Sequence, residues 1–95
     1  MKIGDVSEFK RVHADDKGMA LKPLEEASEI LEAWKAWRSA LQHPRNAARR
    51  RHELEDEIAD CVQACANLAA ALGIDDLGPA MKRCEIRNKQ RGRYN

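Results

Sequence analysis

The chain is poor in the residues that usually anchor a core. Only Phe9, Trp34, Trp37 and Tyr94 are aromatic, and fifteen of the apolar residues are alanine. A 95-residue chain buries only ~60–65% of the surface it exposes when unfolded. Two-domain enzymes, barrels and doubly wound sheets are excluded, and a single domain over residues 1–95 remains. A monomer built from these side chains has a thin core, so a homo-oligomer that shares one core between subunits is expected. β-Branched residues are few and Gly and Pro number five and three, which leaves the Ala, Leu, Glu, Lys and Arg composition of helices. No apolar run approaches the ~18 residues of a membrane span, and Met1-Lys2-Ile3-Gly4-Asp5 lacks the apolar stretch of a signal peptide. The expectation is a cytoplasmic protein with no membrane partner. Cys61, Cys65 and Cys84 form an odd set without Cys-x-x-Cys spacing. They read as small buried side chains rather than a disulfide framework or a zinc site.

What is present in quantity is charge, unevenly placed. Residues 1–60 carry 13 acidic against 11 basic side chains, and residues 61–95 carry 3 against 6. An acidic site and a basic tail fit that asymmetry better than a nucleic-acid-binding surface. Arg49-Arg50-Arg51 is too short for one, lacks interleaved aromatics and runs into Glu53, Glu55, Asp56 and Glu57. His13, His43 and His52 have no mutual spacing that points to catalysis.

Four helices are expected. The first covers Val6 to about His13, and Asp15-Asp16-Lys17-Gly18 reads as a loop. A second starts with Pro23 in its first turn and runs to about Gln42, where His43-Pro44 ends it. A third runs from about Asn46 to Leu72, with Gly73 as the left-handed residue beyond it. Asp75 caps a fourth, which reaches about Gln90.

On the second helix, at ~100° per residue, Ile30, Trp34, Trp37 and Leu41 fall about 20–80° to one side of Glu26, and Glu29 falls about 60° to the other. On the third, Leu54, Cys61, Cys65, Leu68 and Leu72 take the same place relative to Glu57, and Asp60 takes that of Glu29. The apolar sets are the expected buried stripes, and each helix carries a carboxylate pair spaced i, i+3 along the same edge. Antiparallel packing would gather four anions at one rim, an arrangement that calls for a cation. Carboxylate oxygens suit Mg²⁺, Mn²⁺ or Ca²⁺. A di-iron bundle needs Glu-x-x-His, whereas Glu32 follows Glu29 and Asp60 follows Glu57 at that interval. Spacing alone leaves open a solvated acidic face.

Glu25-Glu26-Ala27-Ser28-Glu29, followed by Glu57-Ile58-Ala59-Asp60, resembles the Glu-Glu-x-x-Glu and Glu-x-x-Asp signature of the MazG-like, all-α nucleotide pyrophosphohydrolases, relatives of the all-α dUTPase- and dCTPase-type enzymes. The likeness covers roughly residues 20–95 and extends through Ala66-Asn67-Leu68-Ala69, Gly73-Ile74-Asp75 and the run Arg87 to Tyr94. It implies an all-α, four-helix, bundle-type domain completed by dimerisation or tetramerisation. It also implies hydrolysis of a nucleoside triphosphate to monophosphate and pyrophosphate by water attack at the α-phosphorus. Carried over, Glu26, Glu29, Glu57 and Asp60 are the catalytic and Mg²⁺-holding residues, with Mn²⁺ as a substitute ion and Glu25 as an outer or second-metal group. Lys22, Asn67, Asn88, Lys89 and Arg91 take the place of substrate-binding residues. The segment before Lys22 has little that aligns. The alternative from another class is a non-catalytic helical dimer that binds nucleic acid or a protein partner through its basic C-terminal segment.

Overall fold

Asp16 sets where the helical part of the chain begins. Its Oδ1 accepts the backbone N–H of Gly18 at 2.8 Å, satisfying one of the free donors at a helix start. The computed structural model describes residues 1–95 as three helices without a strand: α1 (Lys17–Ser39), α2 (Pro44–Ala71) and α3 (Gly78–Gln90). Because Asp16 nucleates α1 before Lys17, Pro23 lies inside the helix and not in its first turn. It leaves the carbonyl four residues back without a helical donor, a local weakness in an otherwise continuous helix. Pro44 starts α2, where a missing N–H costs nothing. Gly73 ends that helix as expected. At φ +77° its N–H reaches Ala70 O at 2.9 Å, while the N–H of Ile74 reaches Ala69 O at 3.0 Å, a paired closure that needs a left-handed residue. The turn before α3 is held by Asp76, whose Oδ1 accepts the N–H of Gly78 at 2.8 Å; Asp75 has no such part.

The helix expected over Val6–His13 does not form. Side chains of α2 take up the backbone groups of this segment instead. Asn67 Oδ1 accepts the N–H of Phe9 at 2.9 Å, and Gln63 Nε2 donates to Ser7 O at 2.9 Å and to Asn67 Oδ1 at 3.0 Å. The N-terminal stretch is thereby strapped across α2, and the four-helix count falls to three.

Packing between elements is confined to α1 and α2, and α3 packs against neither. The α1–α2 seam is lined by half-buried Ile30, Ala33, Ala36 and Trp37 from one side and Leu54, Cys61, Leu68 and Ala71 from the other. Ala64 and Glu26 are buried there, and the third buried residue of the chain, Asn67, is engaged by the N-terminal strap. The expected stripes are borne out in part: Ile30, Trp37, Leu54, Cys61 and Leu68 are half-buried, whereas Trp34, Leu41 and Leu72 are 45%, 42% and 61% exposed and Cys65 is exposed as well. The radius of gyration, 16.0 Å, exceeds the ~12 Å of a compact chain of this length. The accessible surface of 7923 Å² exceeds the ~5,500 Å² expected for a folded monomer of 10.8 kDa.

Replacing Asn67 by Ala removes the acceptor that holds Phe9. Amide hydrogen exchange at Phe9 should accelerate at least about fivefold, equivalent to a hydrogen bond worth about 1 kcal/mol. The helical signal in circular dichroism should persist, since neither α1 nor α2 depends on that bond.

Candidate metal centre

Glu57 and Asp60 stand one turn apart on α2, and Glu26 faces them from α1 across the seam. One carboxylate oxygen from each can be chosen so that all three lie within 4.8 Å of one another. The three environments differ: Glu26 is 8% exposed, Glu57 is half-buried and Asp60 is open to solvent. The cluster thus runs from the helix seam out to one rim of the hairpin. Glu29 and Glu25 are exposed on α1 and stand outside the close group. Of the four acids expected to converge, three do.

The charge balance within the group is incomplete. Lys22 Nζ lies 3.4 Å from Glu26 Oε1 and 3.4 Å from Glu25 Oε2. Hydrogen bonds to Glu25 and then Glu26 raise the Lys22 ammonium above its ordinary value of 10.5. A raised value means that this contribution to folding is intact at neutral pH and is lost only as pH climbs through the raised value. One ammonium thus serves three clustered carboxylates and Glu25. Glu57 Oε2 is buried and has no hydrogen-bond partner. Buried carboxylate oxygens are almost always satisfied, so this oxygen stands out as an exception within the seam.

The donor set fits a hard divalent ion. An octahedral Mg²⁺ with ~2.1 Å bonds spreads its oxygens ~3.0–4.2 Å apart, and Ca²⁺ at ~2.4 Å spreads them up to ~4.8 Å. The three oxygens, all within 4.8 Å of one another, fall within reach of a single ion of this kind. Nothing in the group is soft. Cys61, which borders the seam, points its Sγ at Pro23 O, 3.7 Å away. Burial, then the neighbouring Cys65 and Glu26, push its thiol above 9.0, so it stays protonated at neutral pH.

The expected substrate contacts are scattered. Lys22 is at the cluster. Asn67 is buried, with its Oδ1 occupied by Phe9 and Gln63. On α3, Asn88 donates to Cys84 Sγ at 3.4 Å and accepts from Arg93 Nη1 at 3.1 Å. Lys89 pairs with Glu85 at 3.2 Å, and Arg91 is exposed beyond the last turn. Because α3 packs on neither α1 nor α2, these three residues stand apart from the carboxylates within one chain. Sequence reasoning missed the Lys22–Glu26 pair, although its i, i+4 spacing was a usable signal. It also missed Gln63, which nothing short of the strapped N-terminal segment reveals.

Mg²⁺ or Ca²⁺ at a hundred times its dissociation constant should stabilise the fold by about 2.7 kcal/mol, read as a rise in the thermal midpoint. Glu57→Gln should abolish that rise. Without metal the same variant should melt no lower than the parent, because the substitution removes a buried unpaired anion.

Comparison of the chain with models of known protein families, with curated proteins and with solved structures finds no match.

Proposed function

We propose that the chain is a Mg²⁺-dependent nucleoside triphosphate pyrophosphohydrolase acting as a homo-oligomer. The observation that carries this reading is the convergence of Glu26, Glu57 and Asp60 with a buried, unpartnered Glu57 oxygen. The order and spacing of those acids, and their likeness to the MazG-like signature, supply the reaction class.

Glu26, Glu57 and Asp60 would hold the ion, and Glu29, exposed and outside the close group, is free for another task. A bound Mg²⁺ supplies charge neutralisation for a triphosphate and polarisation at the α-phosphorus. The chain's own contribution is positioning and proton handling. Buried Glu26 and the orphaned oxygen of Glu57 fix the polar centre in a seam that α1 and α2 hold rigid. Glu29 is an uncommitted carboxylate one turn from Glu26, within the class of groups that accept a proton from an attacking water, and Glu25 beside it is paired with Lys22. Lys22, flexible and exposed along its stem, can exchange Glu26 for a phosphate oxygen once the carboxylates are neutralised. Asn88, Lys89 and Arg91 serve the substrate only where α3 docks over the cluster. Lys89 must then leave Glu85, whose carboxyl is held below 4.5 by Lys89 and Lys82 together.

Incubation with a panel of ribo- and deoxynucleoside triphosphates, with and without Mg²⁺, tests the reading. The expected products are monophosphate and pyrophosphate, formed only with metal. Glu57→Gln and Asp60→Asn should each lower kcat by at least about 100-fold while leaving helicity intact. Orthophosphate with diphosphate would place the cleavage at another phosphorus and sink the assignment. Salt-sensitive binding to nucleic acid that survives both substitutions would favour the basic-segment alternative.

A further inference from the structure

Away from the carboxylates, a hollow opens where the N-terminal strap crosses the C-terminal half of α2. Its floor is made of small residues: Ala66, Ala69 and Ala70 are half-buried on α2 and leave room above the helix. The strap supplies one wall through Ile3 and Val6, while Gln63 and Asn67 hold it to the helix at Ser7 and Phe9. Gly73, left-handed at φ +77°, turns the chain so that Ile74 and Leu77 supply another wall. The space has a volume of about 520 Å³, within the ~300–1,000 Å³ of small-molecule sites. With Glu57 as reference, Val62, Ala66 and Ala69 fall about 120–180° round α2, so the hollow and the metal cluster occupy different faces.

The charge in this lining is sparse and of one sign. Glu8 of the strap and Asp75 of the turn are its only charged residues, both exposed, and no Lys, Arg or His borders the space. Neither acid has an ion-pair partner, since the salt bridges of the chain all lie within α1, α2 or α3. The smaller hollow on the other side of the strap differs, because Lys2 stands there with Asp5 and Glu55. An anion placed over Ala66 and Ala69 meets two like charges, and a neutral molecule leaves both carboxylates to water. A cation with an apolar body satisfies the acids and the apolar lining together.

We infer that this hollow binds a small amphiphilic amine, its aromatic or alkyl body seated on the alanines of α2 and its ammonium directed to the carboxylates of Glu8 and Asp75. Affinity comes chiefly from the body, because burial of apolar surface scales with area. The two acids, weak as exposed ion pairs, decide which sign of charge the site accepts. Strap, helix and turn bound the space on different sides, so it suits a compact molecule better than a length of peptide. Residues 1–12 make no backbone–backbone hydrogen bond, which lets the strap adjust to the outline of a ligand while Gln63 and Asn67 hold it. The site is independent of the pyrophosphohydrolase reading, since none of its lining residues belongs to the metal cluster.

Dansylcadaverine tests the site, since its dansyl group brightens in an apolar setting and its pentyl chain ends in an ammonium. Titrated with the unmodified protein, its fluorescence should saturate. N-Dansyl-6-aminohexanoate, the same body and spacer ending in a carboxylate, should bind at least about tenfold more weakly. Combining Glu8→Gln with Asp75→Asn should weaken the amine at least about fivefold and bring the two dyes together, an effect that high salt reproduces. Ala69→Phe fills the hollow and should abolish binding of both dyes, with circular dichroism reporting that the helices persist. Cys65 lines the hollow and is exposed, so its alkylation should slow in the presence of saturating amine while that of Cys84 on α3 keeps its rate. Absence of saturable amine binding up to about 1 mM would overturn the proposal, as would equal affinity for the two dyes. Glu57→Gln should leave the amine's affinity unchanged; a loss as large as that of the Glu8 and Asp75 double variant would move the amine to the metal cluster and overturn the assignment as well.

Discussion

Two helices approach as closely as the side chains between them permit, and α1 and α2 meet largely through alanine. Ala33, Ala36 and Ala40 on one helix and Ala47, Ala64 and Ala71 on the other are all withdrawn from solvent to some degree. Small side chains allow backbones to come near, but they bury little apolar area, so the contact is close without being strongly hydrophobic. Everything else follows from where that contact falls. It leaves Leu24, Leu31, Trp34 and Leu72 outward and carries Glu26 and Glu57 into the seam, where water is scarce. The same choice of small residues that closes the hairpin therefore creates both its acidic centre and its uncovered apolar side.

Burying carboxylates in this way opposes folding unless something compensates. Lys22 does part of this for Glu26, from an exposed position where screening keeps an ion pair weak. Cys61 contributes nothing, since its thiol faces the Pro23 carbonyl. The unpartnered oxygen of Glu57 is the remainder of the deficit. A seam built only for stability would place an apolar residue there, since isosteric apolar groups match or exceed buried charges in stabilising a fold. Glu26 and Glu57 thus sit where an apolar pair would serve stability better, with Asp60 exposed at the rim beside them.

Much of this was legible in the sequence, and the failures share a cause. The helical class, the limits of α2 and the turn at Gly73 follow from composition and from residues with one favoured backbone role. The i, i+3 pairs placed Glu57 and Asp60 together and set Glu26 near them. The helical wheels placed Ile30, Trp37, Leu54, Cys61 and Leu68 correctly but erred on Trp34, Leu41, Cys65 and Leu72, because they treated alanine as neutral whereas Ala33, Ala36, Ala64 and Ala71 share the seam. The expected helix at Val6–His13 failed for another reason: Gln63 and Asn67, far along the chain, offer its backbone hydrogen bonds that no local propensity registers. Pro23 misled the start of α1 because the stronger local signal was Asp16, whose carboxylate reaches Gly18 two residues on.

The division of the hairpin into an acidic side and an apolar side separates two requirements that compete in small proteins. A core needs apolar residues packed without polar interruption, whereas a metal site needs ionised groups, some water and room for a ligand. On a chain of 95 residues one layer of two helices cannot enclose both. The carboxylates sit at the seam and open to one rim, with Glu26 deep and Asp60 exposed, while Leu24, Leu31 and Trp34 of α1 stand exposed away from them. Helix α3 then has no surface of its own hairpin to rest on. Thirteen residues are marginal as an isolated helix, so its local ion pairs, Lys82 and Lys89 with Glu85, and the closing bonds from the N–H of Gly92 to Lys89 O and of Arg93 to Asn88 O carry more of its stability than packing does.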